Sequence, residues 1–364
     1  MAQTLAELGQ DVHVITYHLG NETESRNFAI HRIPNLKFYQ KVGPGPTYVK
    51  LLVVDPFLTY KLLQLNHQYK FDLIHAHHYE GLLASWPICF FGNIPVIFDA
   101  HTLLRTELHH YDLSLRKPIK KKIGQVLDRY LPRMADHVIC VSEQIRKEMI
   151  RKANFSPDKT SLIPNGLEFD HFKNKKQINP DQRREKIVLG YAGNLAEYQG
   201  IDTLFYALNL LKATYPEICL YIYTNDSIAF YKPLIDQLSL GERVRIFSTS
   251  FEELPGQLAQ VDILLNPRID GAGVPVKLYN YMAAGKPVVT FSDSSHIIIH
   301  GNTGWIVPEN SYQSFSDGIG FLIANENLAR DLGRNAQKYI QENSSWLSRG
   351  EEIIRIYENL CKKS

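Results

Sequence analysis

Cysteine is scarce in these 364 residues. Cys89, Cys140, Cys219 and Cys361 stand far apart, and no two form a CxxC pair. That excludes a disulfide frame and a cysteine-based zinc finger, and suits reduced thiols in a cytoplasmic protein. Charge of one sign is lacking too: 40 Lys and Arg against 38 Asp and Glu leave a net +2, which makes no case for nucleic acid as a partner. Long hydrophobic runs are absent. The most apolar stretch, 81–98, is interrupted by Pro87, Gly92 and Pro95 and falls short of the roughly 20 clean apolar residues of a spanning helix. The first residues, AQTLAELGQDVHVIT, do not form a secretory leader. There is no HExxH, no DxD-like acidic pair at a strand end, no GxGxxG and no repeat of solenoid period, so no metal and no cofactor is expected.

What remains is an ordinary globular composition, 44% hydrophobic and 21% charged. Short Val-, Ile- and Leu-rich runs alternate with helical patterns: DVHVIT, FDLIHAH, VIFDAH and HVICVS, then IVLGYAG, CLYIYT, VRIFST, DILLNP and PVVTFS. Strands separated by helices predict parallel sheets buried on both faces, hence an α/β protein. The polar stretch 173–186, KNKKQINPDQRREK, reads as a linker. It divides the chain into a domain over 1–175, a second over 186–342 and a closing helix over 343–364. The chain opens with a helix over 2–8 that ends at Gly9 and runs into a strand. An α/β domain ordinarily starts with a strand.

Four segments carry chemistry. In YAGNLAEYQGIDTLFYAL, 191–208, a strand enters a loop with Gly193 and Gly200 and then a helix. Amides at a helix start suit a phosphate, although many α/β turns hold two glycines. In NPRIDGAGVPVKLYNYMAAGKPVV, 266–289, a strand ends at Pro267 and a loop carries Gly271 and Gly273. A helix over about 275–284 follows. Arg268 and Lys277 flank that turn, a placement suited to a diphosphate and otherwise read as two solvated cations. Histidines cluster in the first half: His75, His77 and His78 with Glu80, then His101, His109 and His110 with Asp99 and Glu107. No ligand pair shares a helix, which argues against a metal. His101 suits hydrogen bonding at a cleft, and the others read as structural or solvated. The fourth segment, 115–133, mixes Lys117, Lys120, Lys121 and Lys122 with Ile119, Ile123, Val126 and Leu127. It reads either as a helix with a core face and a basic solvent face, or as a peripheral contact with an anionic membrane.

In this order the segments resemble glycosyltransferase family 4, retaining nucleotide-sugar enzymes of the GT-B fold. ADHVICVSEQIRKEM looks like the last strand and helix of that family's first domain. SLIPNGLEFDHF is similar to its "IPNGVD…F" signature, residues 191–204 to its "GRL…KG…L" loop, and NTGWIVPEN to its "TGLLV" ending. DGAGVPVKLYNYMAAGKPVV resembles "EGFGLP…EAMAAGKPVV" and is the most specific match. Asn194 and Gln199 stand where the family commonly has Arg and Lys. Asp270 and Asn280 stand at or nearest its two glutamates, with the helix between two residues longer. A sub-branch with "GN…YQG" and "PR..G…P.K.Y.Y" shares these features. In that branch Arg268 and Lys277 supply the missing positive charge.

The resemblance implies two Rossmann-like domains facing across a cleft, with the C-terminal helix crossing back to the first. It implies retaining, metal-independent transfer of a sugar from a nucleotide-diphosphate sugar to a glycan or lipid-linked acceptor, or to a precursor of a cell-surface polysaccharide. His101, Asp270 and Lys277 take catalytic roles. Gly193, Asn194, Gln199, Arg268, Gly271, Gly273, Val274, Leu278 and Asn280 bind donor, Asn280 at a ribose hydroxyl. A nucleotide-sugar epimerase or a binding protein of the same fold remains an alternative. The resemblance also places a strand and a Gly-rich loop, roughly 20 residues, ahead of the helix at 2–8. Without them the neighbouring strands would have unpaired edges.

Overall fold

A computed structural model describes residues 1–20, 27–40, 47–92, 94–108, 115–167, 172, 186–269, 275–308 and 310–362. Two units emerge, 1–166 with 346–364, and 167–345. The linker over 173–185 lies outside the described residues.

In the first unit, α1 (Ala2–Glu7) leads through Gly9 into β1 (His13–Thr16), which pairs in parallel with β2 (Ala29–Arg32). A second parallel sheet has the order β3 (Ile74–His77), β4 (Val96–Ala100), β5 (His137–Cys140), β6 (Thr160–Leu162). The two sheets share no ladder among the described residues. β4 and β5 are fully buried runs, as expected of central parallel strands. The helices are α2 (Asp55–Tyr69), α3 (His78–Ala84), α4 (Trp86–Phe91), α5 (Leu104–Glu107), α6 (Lys117–Tyr130) and α7 (Glu143–Arg151). Ser142 caps α7, its Oγ accepting from the Ile145 amide.

The α6 helix corrects the expectation of a core face made of its apolar residues. Its buried positions are Lys120, Gly124 and Asp128, while Ile119, Ile123, Val126 and Tyr130 are 39–53% exposed. Polar anchoring explains the inversion. Asp128 carboxylate oxygens accept from the Leu104 and Arg105 amides at 2.8 and 3.1 Å and from Tyr79 Oη at 2.6 Å. At Gly124 the helix lies so close to the Arg105 backbone that a Cβ would sit 2.5 Å from it. The polar row is therefore held inward, and the apolar row, on the other side of the helix, is left outside.

The second unit is a six-stranded, all-parallel sheet in the order β9 (Val244–Phe247), β8 (Cys219–Tyr223), β7 (Val188–Ala192), β10 (Ile263–Asn266), β11 (Val288–Phe291), β12 (Trp305–Val307). Alternate residues of its central strands feed two cores. Leu189, Tyr191, Leu265 and Phe291 pack against α8 (Ile201–Leu211) and, beyond α9 (Lys232–Gln237), α10 (Leu254–Leu258) and α11 (Val276–Ala283), against α12 (Tyr312–Ala324). Val188, Ala192, Leu264 and Val288 face α11 and α13 (Glu326–Asn343). The edge strand β9 departs from the doubly buried pattern and exposes three of its four residues. The final helix, α14 (Trp346–Cys361), belongs to the first unit: its Ile353 joins Leu5, Ile97, Ile139 and Ile163 in one cluster.

His137 opens β5, 8% exposed, with Nε2 2.9 Å from Ser161 Oγ. Burial, and secondly the Lys159 charge, hold its pKa at about 4 against the ordinary 6.5. Between these values the unfolded chain binds a proton that the folded chain refuses, so stability falls as pH drops from 6.5 towards 4. We expect His137→Gln to make that fall shallower, by at most about 3 kcal/mol across the window, in urea melts at successive pH values.

Candidate active site

The strand order of the second unit reverses between β7 and β10: the chain runs outward through β8 and β9, then returns to β10 on the other side of β7. In such sheets a ligand sits beyond the carboxyl ends of the strands at that reversal. The loop after β7, with Gly193 and Gly200, is there, and so are Pro267, Arg268 and Ile269, the first residues after β10. Tyr191 Oη donates to the Asn194 carbonyl at 2.6 Å, the Asn194 side-chain oxygen accepts from the Ala196 amide at 3.2 Å, and Asp226 accepts from the Leu195 amide at 2.8 Å. Gly200 starts α8 in the left-handed region, φ +66°, and a Cβ on it would run into the Pro267 carbonyl oxygen. The Ile269 amide donates to the Tyr198 carbonyl at 3.2 Å, so the two loops are tied together.

Lys277, from the first turn of α11, points its Nζ into this junction. It lies 2.6 Å from Gln199 Oε1, 3.2 Å from Tyr191 Oη and 4.3 Å from the Tyr191 ring centroid. A Cβ on Gly193 would stand 3.7 Å from it. No carboxylate among the described residues pairs with it. Burial, and secondly the Arg268 charge, hold its pKa well below that of an ordinary lysine. The Arg268 guanidinium lies 5.3 Å over the Tyr198 ring. Two cations converge with Gln199, itself 5% exposed, at a helix start. A desolvated ammonium without an anion is costly, and an incoming diphosphate would relieve it.

Gly193, Asn194, Gln199, Arg268 and Lys277 are thus brought together. Leu278 is not: its side chain is fully buried in the core, and its amide donates to the Pro275 carbonyl. Asn280 lies half-buried on α11. Asp270, Gly271, Gly273 and Val274 fall outside the described residues. Two contributors escaped the sequence reading. Tyr191 holds the loop and Lys277, and Tyr281 Oη accepts from the Ala192 amide at 2.7 Å, fixing the end of β7. Both look like plain strand and helix letters, and only the fold reveals their work.

In the first unit, β3 and β4 present HxH and DxH on one sheet face. His77 pairs in register with Asp99, and His75 and His101 lie two residues away along each strand. Asp99 Oδ2 is 3.1 Å from His101 Nε2, 3.2 Å from His77 Nδ1 and 3.3 Å from His75 Nε2. Burial alone would raise the Asp99 pKa, but the three imidazoles hold it well below the usual carboxylate range. Burial opposes protonation of His101, yet the Asp99 hydrogen bond and charge leave its pKa raised. His75, whose pKa burial lowers against the Asp99 hydrogen bond, meets Tyr357 Oη at 2.6 Å through Nδ1. His78 stacks on His101 with ring centroids 4.6 Å apart, and Glu80 pairs with Lys50 at 2.6 Å. His109 and His110 lie outside the described residues.

Comparison with known proteins bears on both units. The family model "Glycosyltransferase Family 4" matches residues 1–171, and "Glycosyl transferases group 1" matches residues 172–339. The chain belongs to glycosyltransferase family 4. An uncharacterized glycosyltransferase of Methanocaldococcus jannaschii is 26% identical over 279 residues, 72% of this chain and 69% of that protein. Sucrose-phosphate synthase of Thermosynechococcus elongatus shares the fold with a TM-score of 0.83 at 19% identity, covering 100% of this chain and 92% of that one. Anabaena HepE, solved with UDP and glucose, has a TM-score of 0.74 at 16% identity, covering 96% of this chain and 100% of that one. The glycosyltransferase has the GT-B fold, with two Rossmann-like domains.

The loop junction yields a direct test. Gly200→Ala combines left-handed backbone with a Cβ against Pro267, and we expect it to cost about 1–3 kcal/mol in thermal melts. Gly241→Ala, where a Cβ meets nothing within 4 Å, should melt like the parent.

Proposed function

We propose that this glycosyltransferase moves a sugar from a nucleotide-diphosphate sugar to a glycan or lipid-linked acceptor, with retained configuration and without a metal on the diphosphate. The observation that carries this reading is Lys277, whose part-buried Nζ reaches Gln199 and Tyr191 at the switch point beside Arg268 with no carboxylate partner among the described residues. As the bond from the anomeric carbon to the diphosphate breaks, its electron pair passes to a phosphate oxygen. Lys277, Arg268 and the loop amides around Gly193, Gly271 and Gly273 are suited to receive that charge in place of a metal. Asp270 would accept from donor-sugar hydroxyls, and Asn280 would hold a ribose hydroxyl. His101, hydrogen-bonded to Asp99, would act beside the sugar. The UDP bound to HepE makes UDP the first donor nucleotide to try.

Lys277→Ala should weaken nucleotide-diphosphate binding at least tenfold by calorimetry, whereas His101→Ala should keep that affinity and lose turnover. Wild-type transfer by both variants would refute the site. Donor incubated alone distinguishes transfer from epimerisation, because only an epimerase makes a new nucleotide sugar without acceptor.

A second surface supports peripheral membrane contact as part of the same function. The exposed row Ile119, Ile123, Val126 and Tyr130 runs between Lys117, Lys121, Lys122 and Arg129. The turn Leu131–Met134 that follows packs beside α4, whose Trp86, Phe90 and Phe91 are 46%, 67% and 83% exposed. Aromatic and aliphatic groups ringed by lysines suit an anionic lipid surface. Among the described residues no helix is long and apolar enough to cross a membrane. The full chain should co-sediment with vesicles containing phosphatidylserine, less so with neutral ones, and Ile123→Glu with Val126→Glu should abolish the difference. Equal sedimentation by parent and variant would reject this surface.

A further inference from the structure

Beyond β11 the chain makes a turn that its sequence does not suit. After the single 3₁₀ turn Ser292–Ser294, the Ile298 amide donates to the Ser295 carbonyl at 2.8 Å and closes a tight turn with His296 and Ile297 at its centre. His296 takes φ +37°, in the left-handed region. A first central residue with positive φ ordinarily calls for Gly, Asn or Asp, and a histidine there is strained. Packing does not explain the choice. The His296 side chain is exposed, and its ring makes no hydrogen bond, ion pair or ring contact among the described residues. The turn itself is firmly seated. Asn266, the last residue of β10, is fully buried, and its Nδ2 donates to Thr290 Oγ1 at 2.9 Å, to Ser294 Oγ at 3.2 Å and to the Ser294 carbonyl at 3.4 Å. This network ties the ends of β10 and β11 together, two residues before Arg268 on one strand and two before His296 on the other. Partial loss of water around the His296 ring, and secondly the Arg268 charge, lower its pKa, and the same charge acts on Lys277. Arg268 thus neighbours two further basic groups, Lys277 from α11 and His296 from the turn after β11.

We propose that His296 is a further donor-binding residue, whose imidazole donates an N–H to the diphosphate that Lys277 and Arg268 receive. The inference rests on the reading of this unit as the nucleotide-sugar site. It accounts for the strained turn. Glycine would suit the backbone better, and what the histidine adds is a hydrogen-bond donor beside Arg268. A turn closed by its own backbone bond and seated on a buried network fixes the root of that side chain before the donor arrives, which limits the freedom lost on binding.

The test titrates the full chain with UDP, GDP and ADP by calorimetry and follows thermal melts without nucleotide. His296→Gly removes the strain and the ring together. It should melt at or above the parent and bind the diphosphate about tenfold more weakly, the loss of one charge-assisted hydrogen bond. His296→Phe keeps a ring on the same backbone but has no N–H, and should lose affinity to the same extent. Ser239→Gly relieves a left-handed residue of the same kind, φ +52°, between α9 and β9, and should bind like the parent. Parent-like affinity in His296→Phe, with Lys277→Ala binding weakly, would overturn this inference and leave the diphosphate site standing. A His296→Gly chain that melts well below the parent would show the histidine to hold the turn instead, and would overturn it too. Failure of the parent to bind any of the three diphosphates would overturn the underlying reading and this inference with it.

Discussion

The second unit is organised around a lysine that has no carboxylate partner among the described residues. Lys277 reaches from its helix to place its Nζ, part-buried, between Gln199 and Tyr191, where burial and the Arg268 charge both lower its pKa. A group so placed lowers stability unless something pays for it, and the compensation expected of this architecture is a ligand with negative charge. Much of the surrounding structure serves that placement. Gly200 lets the loop after β7 press against Pro267, Tyr191 ties the loop to the lysine, and Tyr281 holds the strand end from below.

The first unit solves the opposite problem. There an anion, Asp99, is buried and has three imidazoles around it, so the carboxylate stays ionised although burial disfavours it. The two arrangements come from the same backbone logic. In a parallel sheet the chemistry collects beyond the carboxyl ends of central strands, because the flanking helices cover the faces and leave that edge accessible.

Much of this was legible in the sequence. The candidate runs from DVHVIT to PVVTFS coincide with strands, since near-continuous Val, Ile and Leu mark doubly buried strands. β6 and β12, three residues each, are too short to have shown a pattern, and β2, AIHR, lacks the Val, Ile and Leu run of the others. Arg268, Lys277 and the glycines could be read together because a helix start, a Gly-rich turn and positive charge are local. The histidine grid could not. Its members are 24 residues apart along the chain, and only the register His77 with Asp99 makes them neighbours. The α6 helix shows a subtler limit: periodicity located its apolar row correctly, but which row faces inward was decided by Asp128 and by the close approach at Gly124.

The central claim is that Lys277 and Arg268 receive a diphosphate. The most direct measurement is calorimetric titration of the intact chain with UDP, GDP and ADP, each beside its own nucleoside. At least one diphosphate should bind, and its nucleoside should bind about a hundredfold more weakly or not at all, since charge-assisted contacts to phosphate supply most of the affinity. A nucleoside that binds as tightly as its diphosphate, or no binding by any of the three, would contradict it.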